Sequence, residues 1–312
     1  MTGALELSRS YWKNVAAPEL KAVFPALFPR LAAGLCGNGS ECFGYDDEKS
    51  MDHDWGVDFF LWVTEADRDA IPALKRWKEE LFRRHPPEFT RTRSMHGATI
   101  GVMTVGEFYY SLIGVPCVPE DVLQWRWAPE ENYAMVVNGE VFWDGTGEFS
   151  AVRQRLLDYY PEDLRRKKIA ARCMTIAQTG QYNFERISDR EDWVTVRIVL
   201  AKFAVEAMGL VYHLNKVYRP YYKWTWRRLQ ELPILGQEIS TLLLAMAEEG
   251  GLDENSRWVQ REWIERTCWL LAEELRQQCL SDCEDWFLTG HGEAVQRTIR
   301  HEKLRSLPPQ YE

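Results

Sequence analysis

An α+β fold followed by an all-α helical bundle is the class this sequence predicts, and three observations carry the prediction. Up to about residue 150, short apolar runs bounded by turn-forming residues alternate with helical patterns. Beyond that point, stretches of helical periodicity follow one another with only Gly-, Pro- or Asn-rich breaks. A length of 312 residues suits two packed domains rather than one. The boundary is accordingly placed so that residues 1–149 form the mixed domain and residues 150–312 the helical one.

In chain order, residues 18–33 carry apolar side chains at helical spacing and read as a helix ending near Gly34, followed by a short strand, "GLC", and the turn "GNGS". The apolar run "WGVDFFLWV" reads as a strand, and an amphipathic helix over about 65–84 is stopped by Pro86 and Pro87. Further strands are expected at 97–105, "GATIGVMTV", and at 134–143, "AMVVNGEVFW", whose Asn-Gly pair suits a hairpin turn. Helices are then expected over 150–185, 190–218, 222–249 and 257–288, enough for a bundle of four or more. In the last of these the tryptophans and phenylalanines fall at helical spacing and read as core.

Composition narrows the function classes. A net charge of −9 argues against broad nucleic-acid or anionic-membrane binding, since both partners want a basic surface. Seven irregularly spaced cysteines make no disulfide framework and point to free thiols in a reducing cytoplasm. Cys268, Cys279, Cys283 and His291 lack the paired knuckles of a structural zinc site. The N-terminus shows no signal-peptide pattern, and the most apolar helix, around 194–214, is interrupted by Arg197, Lys202 and Glu206, so it reads as a buried helix rather than a membrane span.

The stretch with the most chemistry is "GNGSECFGYDDEKSMDHDWG". A strand ends, Gly39-Ser40 follow, and Asp52-x-Asp54 opens the next apolar strand, where residues two apart share a face. Two convergent carboxylates suit magnesium, which keeps positions open for phosphate oxygens. Gly39 lets a phosphate approach the backbone, and Ser40 offers a hydroxyl and an amide. Such a set serves in-line transfer of a nucleotidyl or phosphoryl group with two metal ions. An acidic pair alone carries no weight, since with 47 acidic residues roughly seven such pairs arise by chance. The conjunction of strand, Gly-Ser turn, gap and Asp-x-Asp is what signals a site. His53, between the aspartates, points to the opposite face and reads as a structural histidine, and the loop acids Glu41, Asp46, Asp47 and Glu48 read as solvated surface.

This pattern resembles the signature of the DNA polymerase beta type nucleotidyltransferase superfamily, which includes enzymes that modify aminoglycosides and lincosamides. More closely, that loop together with "VNGEVFWDGTGEF", "YYPEDLRRKKIA", "GQYNFER" and "LNKVYRPYYKW" resembles a bacterial family of undefined function placed within the superfamily, over about residues 20–235. The resemblance implies a nucleotidyltransferase-like mixed sheet with flanking helices. It also implies magnesium, ATP or another nucleoside triphosphate as co-substrate, Gly39 and Ser40 on the triphosphate, and Asp52 and Asp54 on the metals. Members usually add a third carboxylate on a later strand, which "GATIGVMTV" lacks. Glu107, just past its end, is the preferred candidate, with Asp58 and Asp144 as alternatives. The expected reaction moves AMP from ATP to a hydroxyl of a small-molecule acceptor. Modification of a protein acceptor, or nucleotide binding without catalysis, are the alternatives.

Three features of the helical half complete the expected site. The run Arg165, Arg166, Lys167, Lys168 reads as a solvated helix face, from which Lys168 is the cation assigned to the triphosphate. "GQYNFER" breaks its helix at Gly180 and presents Gln181 and Asn183 as acceptor contacts. "YRPYYKW" starts a helix at Pro220, with Tyr222 as a stacking surface and Lys223 on a phosphate.

Overall fold

The computed structural model describes residues 3–52, 55–91, 100–251 and 253–312. The chain divides into two compact units, Met1–Asp158 and Tyr159–Glu312. The expected boundary at 149/150 falls within a helix, Glu148–Leu157, that belongs to the first unit.

The first unit is built on a four-stranded mixed sheet in the order β3-β2-β1-β4, with β1 Leu31–Leu35, β2 Phe60–Val63, β3 Val102–Thr104 and β4 Glu140–Asp144. β1 pairs antiparallel with β2 and with β4, and β2 pairs parallel with β3. Around it lie α1 (Ala4–Tyr11), α2 (Ala17–Val23), α3 (Ile71–Arg84), α4 (Val105–Ile113), α5 (Glu130–Val137) and α6 (Glu148–Leu157). Alternation along β2 explains its continuous apolar run, because both of its faces are covered. Leu61 and Val63 join Trp12, Leu20, Leu74 and Leu81 in one core. Phe60 and Trp62 turn the other way, where Trp62 stacks on Phe149 of α6 at 3.9 Å between centroids and meets Phe108 of α4 edge-on at 5.2 Å. Such ring pairs add about 0.5–1.5 kcal/mol each beyond the area they bury.

Several expectations need correction. The helix expected over 18–33 stops at Val23, and β1 begins at Leu31, earlier than "GLC" suggested. Pro25 and Pro29 break the helical pattern that the apolar spacing continues. "WGVDFFLWV" is a strand only from Phe60, since Val57 makes no more than an isolated bridge to Thr90. The strand expected at 97–105 is reduced to Val102–Thr104, and residues 97–99 lie outside the described residues. The hairpin expected at Asn138-Gly139 is a helix-to-strand junction, because residues 130–137 form α5.

The second unit is all helical: α7 (Glu162–Ile176), α8 (Phe184–Ser188), α9 (Trp193–Asn215), α10 (Tyr222–Leu229), α11 (Gly236–Glu248), α12 (Glu254–Gln277), α13 (Leu288–Arg297) and α14 (Glu302–Ser306). Ile169, Cys173, Phe203, Leu210, Leu243, Ile264, Leu271 and Val295 meet in its core. Gly180 does not break the chain. Residues 177–183 form a π-helical turn joining α7 to α8, and a Cβ at Gly180 would lie 2.5 Å from the Phe203 ring and 2.8 Å from Ile264. Glycine there admits two core side chains rather than ending a helix. Of the aromatics read as core in 257–287, Trp263 and Phe287 pack against the core, whereas Trp258, Trp269 and Trp286 are exposed, and α12 packs mainly through Ile264, Cys268, Leu271 and Leu275. Among the described residues no helix is long and apolar enough to cross a membrane.

Candidate active site

The connection from β1 to β2 carries the Gly-Ser turn and Asp52. In an antiparallel pair the C-terminal end of one strand lies beside the N-terminal end of the next, and Gly34 pairs with Phe60 here. The whole connection therefore leaves and re-enters the sheet at one end of its two central strands. Gly39 is extended (φ −66°, ψ 147°) and Ser40 opens a 3₁₀ turn, Ser40–Phe43, closed by Gly44 in the left-handed region at φ 71°.

Two acids of this loop, Glu41 and Asp46, are structural, which corrects their reading as solvated surface, while Asp47 and Glu48 are exposed as expected. Glu41 is 1% exposed and accepts from Arg91 at 2.7 Å, an ion pair with both partners buried. Its carboxylate lies against Gly39, where a Cβ would sit 2.2 Å from an oxygen, so the glycine admits Glu41 in this structure. Asp46 accepts from the backbone N–H of Ala4 and from the indole Nε1 of Trp55, both at 2.8 Å, which ties the loop to the start of α1. Asp47 caps the following 3₁₀ turn, Glu48–Asp52, by accepting from Lys49 and Ser50.

Asp52 ends that turn and is exposed, so it does not open β2, which starts at Phe60. Asp54 and His53 lie outside the described residues. As a donor set, one exposed carboxylate with a second two residues on meets what magnesium asks of a protein when phosphates supply the rest. Among the described residues no group of three or more His, Cys, Asp or Glu is placed to hold a metal ion.

The candidate third carboxylates are all engaged. Glu107 forms a capping box at the start of α4, accepting from the Thr104 backbone N–H at 2.9 Å while its own N–H donates to the Thr104 hydroxyl. It also pairs with Arg68 at 2.5 Å. Those Thr104 and Arg68 contacts hold the Glu107 carboxyl below the usual glutamate range, which makes it a weaker base. Asp58 is buried against Lys78 at 2.6 Å. Asp144 accepts from the N–H groups of Gly147 and Ser150, both at 2.8 Å, at the entry to α6.

Two residues that hold the Gly-Ser loop, Asn138 and Gly139, carried only a hairpin-turn signal in the sequence. Asn138 makes a reciprocal pair with Gly37, accepting its N–H at 2.9 Å and donating to its carbonyl at 2.6 Å. Gly139 donates to the Cys42 carbonyl at 2.8 Å. Asn-Gly between apolar segments looks like a hairpin signal, and only the partner across the sheet shows that it braces a distant loop. Gly139 has φ 61°, and a Cβ there would lie 1.9 Å from the Leu35 carbonyl oxygen. Gly139→Ala is therefore expected to cost about 2 kcal/mol or more, read as a lower midpoint in chemical denaturation. Beside the loop, burial pushes the Cys36 thiol up to about 12 and raises Cys42 well above its ordinary value, so neither is a nucleophile near neutral pH.

In the second unit Lys168 pairs with Glu312 at 3.1 Å and lies 5.2 Å over the Tyr160 ring. The rest of its basic run is not a solvated face: Arg165 and Lys167 are buried, Arg165 donating to the His213 carbonyl at 2.9 Å and Lys167 to Gln296 at 2.9 Å. Gln181 is spent inside the unit, donating to Glu265 and the Trp286 carbonyl and accepting from Leu288. Asn183 ends the π turn and is half-buried. Tyr222 is 78% exposed at the start of α10, and Lys223 lies 5.0 Å over the Trp224 ring.

His213 is fully buried, and its Nδ1 lies 2.8 Å from the Tyr159 hydroxyl. Burial first, then the surrounding Arg172, Lys168, Arg219 and Arg165, hold it neutral well below its ordinary 6.5. The unfolded chain takes up this proton more readily than the folded one. Stability should therefore be complete above 6.5 and fall as pH drops below it, by up to about 1.4 kcal/mol per pH unit. Thermal midpoints measured down to about pH 5.5 should fall less steeply in His213→Gln than in the native chain.

Fold and loop together define a helix-rich mixed α/β protein with a Gly-Ser turn and an exposed aspartate on one inter-strand connection. A family model described as Domain of unknown function (DUF4037) matches residues 125–225. That span holds Asn138, Gly139, Lys168, Gln181, Asn183, Tyr222 and Lys223, and it begins after Gly39, Ser40, Asp52, Asp54 and Glu107. No curated protein and no solved structure matches the chain.

Proposed function

We propose that the chain is a magnesium-dependent nucleotidyltransferase that moves AMP from ATP to a hydroxyl of a small-molecule acceptor. The observation that carries this reading is the placement of Gly39-Ser40 and Asp52 on one connection between the two central antiparallel strands. The reading gives the first unit the nucleotidyltransferase fold its motif order resembles, in a cytoplasmic protein whose acidic balance does not favour nucleic acid.

In this account the Ser40 hydroxyl and the amides of its turn hold the triphosphate, while Asp52 and Asp54 hold the metal ions. Magnesium at those carboxylates would neutralise phosphate charge and lower the pKa of the acceptor hydroxyl. The acceptor oxygen bonds to the α-phosphorus and gives up its proton to solvent, the bond from that phosphorus to the bridging oxygen breaks, and pyrophosphate leaves with the electron pair.

A second reading, nucleotide binding without transfer, draws on the engagement of Glu107, Asp58 and Asp144 in caps and ion pairs. Incubation with ATP, magnesium and candidate acceptors separates the two. Transfer releases pyrophosphate and adds the mass of AMP to a metabolite, or to a polypeptide if the acceptor is a protein. Binding of ATP by calorimetry with neither product would leave only the second reading.

A further inference from the structure

Three cations converge in the second unit. Lys168 and Arg172 lie one turn apart on α7. Arg219 follows α9, after the left-handed turn at Lys216. Gly209 of α9 brings the two arginines together: a Cβ there would sit 3.1 Å from Arg172 Nε and 3.6 Å from Arg219 Nη1. Beneath them is an aromatic floor, with Tyr160 under Lys168 at 5.2 Å and Tyr218 edge-on to Tyr160 at 4.9 Å.

The Glu312 carboxylate sits among these cations. Glu312 accepts from Lys168 at 3.1 Å and from Arg172 at 2.8 Å. The other fork of Arg172 goes to Glu206 at 2.8 Å, and Arg165 nearby is paired with Glu162. Burial alone would raise the Glu312 carboxyl, but Lys168, Arg172 and Arg219 outweigh it and hold it below its ordinary range. Gln310 and Tyr311, just before it, are exposed. Withdrawing Glu312 would take its carboxylate from Lys168 and from one nitrogen of Arg172, the two donors it accepts from.

We propose that Lys168, Arg172 and Arg219 form a phosphoryl-binding site in the helical unit, latched in this structure by the carboxylate of Glu312. The Lys168 ammonium and the Arg172 nitrogen that Glu312 holds, with the Arg219 guanidinium beside them, suit the charge and the several oxygens of a phosphoryl group. A ligand phosphate and Glu312 compete for the same donors, so the latch lowers apparent affinity by the fraction of time it is seated. The site shares Lys168 with the residues assigned to phosphate from the sequence and adds Arg172, Arg219 and Glu312 to it, but it needs no step of the transfer chemistry in the first unit.

The test is binding of inorganic pyrophosphate to the full chain without magnesium, by calorimetry and by thermal shift against chloride at matched ionic strength. Glu312→Gln should bind pyrophosphate at least about tenfold tighter than the native chain. Adding Arg219→Gln should abolish the gain. A parallel arm with ATP shows whether free or nucleotide-borne phosphoryl groups are preferred, and tightening of either by Glu312→Gln supports the site. If neither ligand binds tighter, or if the gain survives loss of Arg219, the cluster is only an anchor for the chain end and the proposal fails. If Glu312→Gln loses its fold, pyrophosphate must restore it, and failure to do so is equally decisive.

Discussion

Asp52→Asn and Asp54→Asn should each lower AMP transfer by about a thousandfold or more, the scale on which removing one preorganised electrostatic contact to a reacting phosphate is felt. The fold should survive. Asp52 is exposed at the end of a short 3₁₀ turn, where a neutral isostere disturbs no core, so its thermal midpoint should stay within the range of a surface change, about 0.5 kcal/mol. Activity lost with stability kept is the signature of a metal-binding carboxylate. Activity lost together with the fold would instead place Asp52 among the loop's structural acids, with Glu41 and Asp46.

Lys78→Met should have the largest effect on stability. Lys78 is buried on α3, with its ammonium 2.6 Å from Asp58, 4.7 Å over the Phe59 ring and hydrogen-bonded to the Phe59 carbonyl. Asp58 also accepts from the Phe59 N–H at 2.8 Å. Removing the cation takes this ion pair from a buried carboxylate, which costs about 3–5 kcal/mol. Asp58→Leu combined with Lys78→Met should recover most of the loss, because an apolar pair of similar volume avoids the desolvation of both charges. Chemical denaturation of the single and double variants measures both. The pair lies just before β2, so its loss should also loosen the start of the strand to which the Gly-Ser connection returns.

The sequence made legible what depends on local pattern. The mixed pattern before about residue 150 and the helical pattern after it match a small mixed sheet with helices followed by helices alone, and Gly39-Ser40 lies at a turn between two strands. What it hid depends on partners far away in the chain. Glu41 looked like loop solvation because nothing local shows that Arg91, fifty residues on, will be buried against it. Asn138-Gly139 has the composition of a hairpin turn, and its real task is to hold Gly37 and the loop after β1. Arg165 and Lys167 look like solvent charges in a basic run, yet buried carbonyl and amide oxygens take their donors. Glu107 had the right place after a strand for a third carboxylate, and also the right place for a helix cap, three residues after Thr104.

Pyrophosphate release from ATP and magnesium in the presence of candidate hydroxyl acceptors, compared between the native chain and Asp52→Asn, tests the role of Asp52 most directly. Release by the native chain, matched by addition of AMP to the acceptor and lost in the variant, is the predicted result. Equal release from both proteins would contradict the role of Asp52. ATP binding with no release from the native chain would contradict transfer itself.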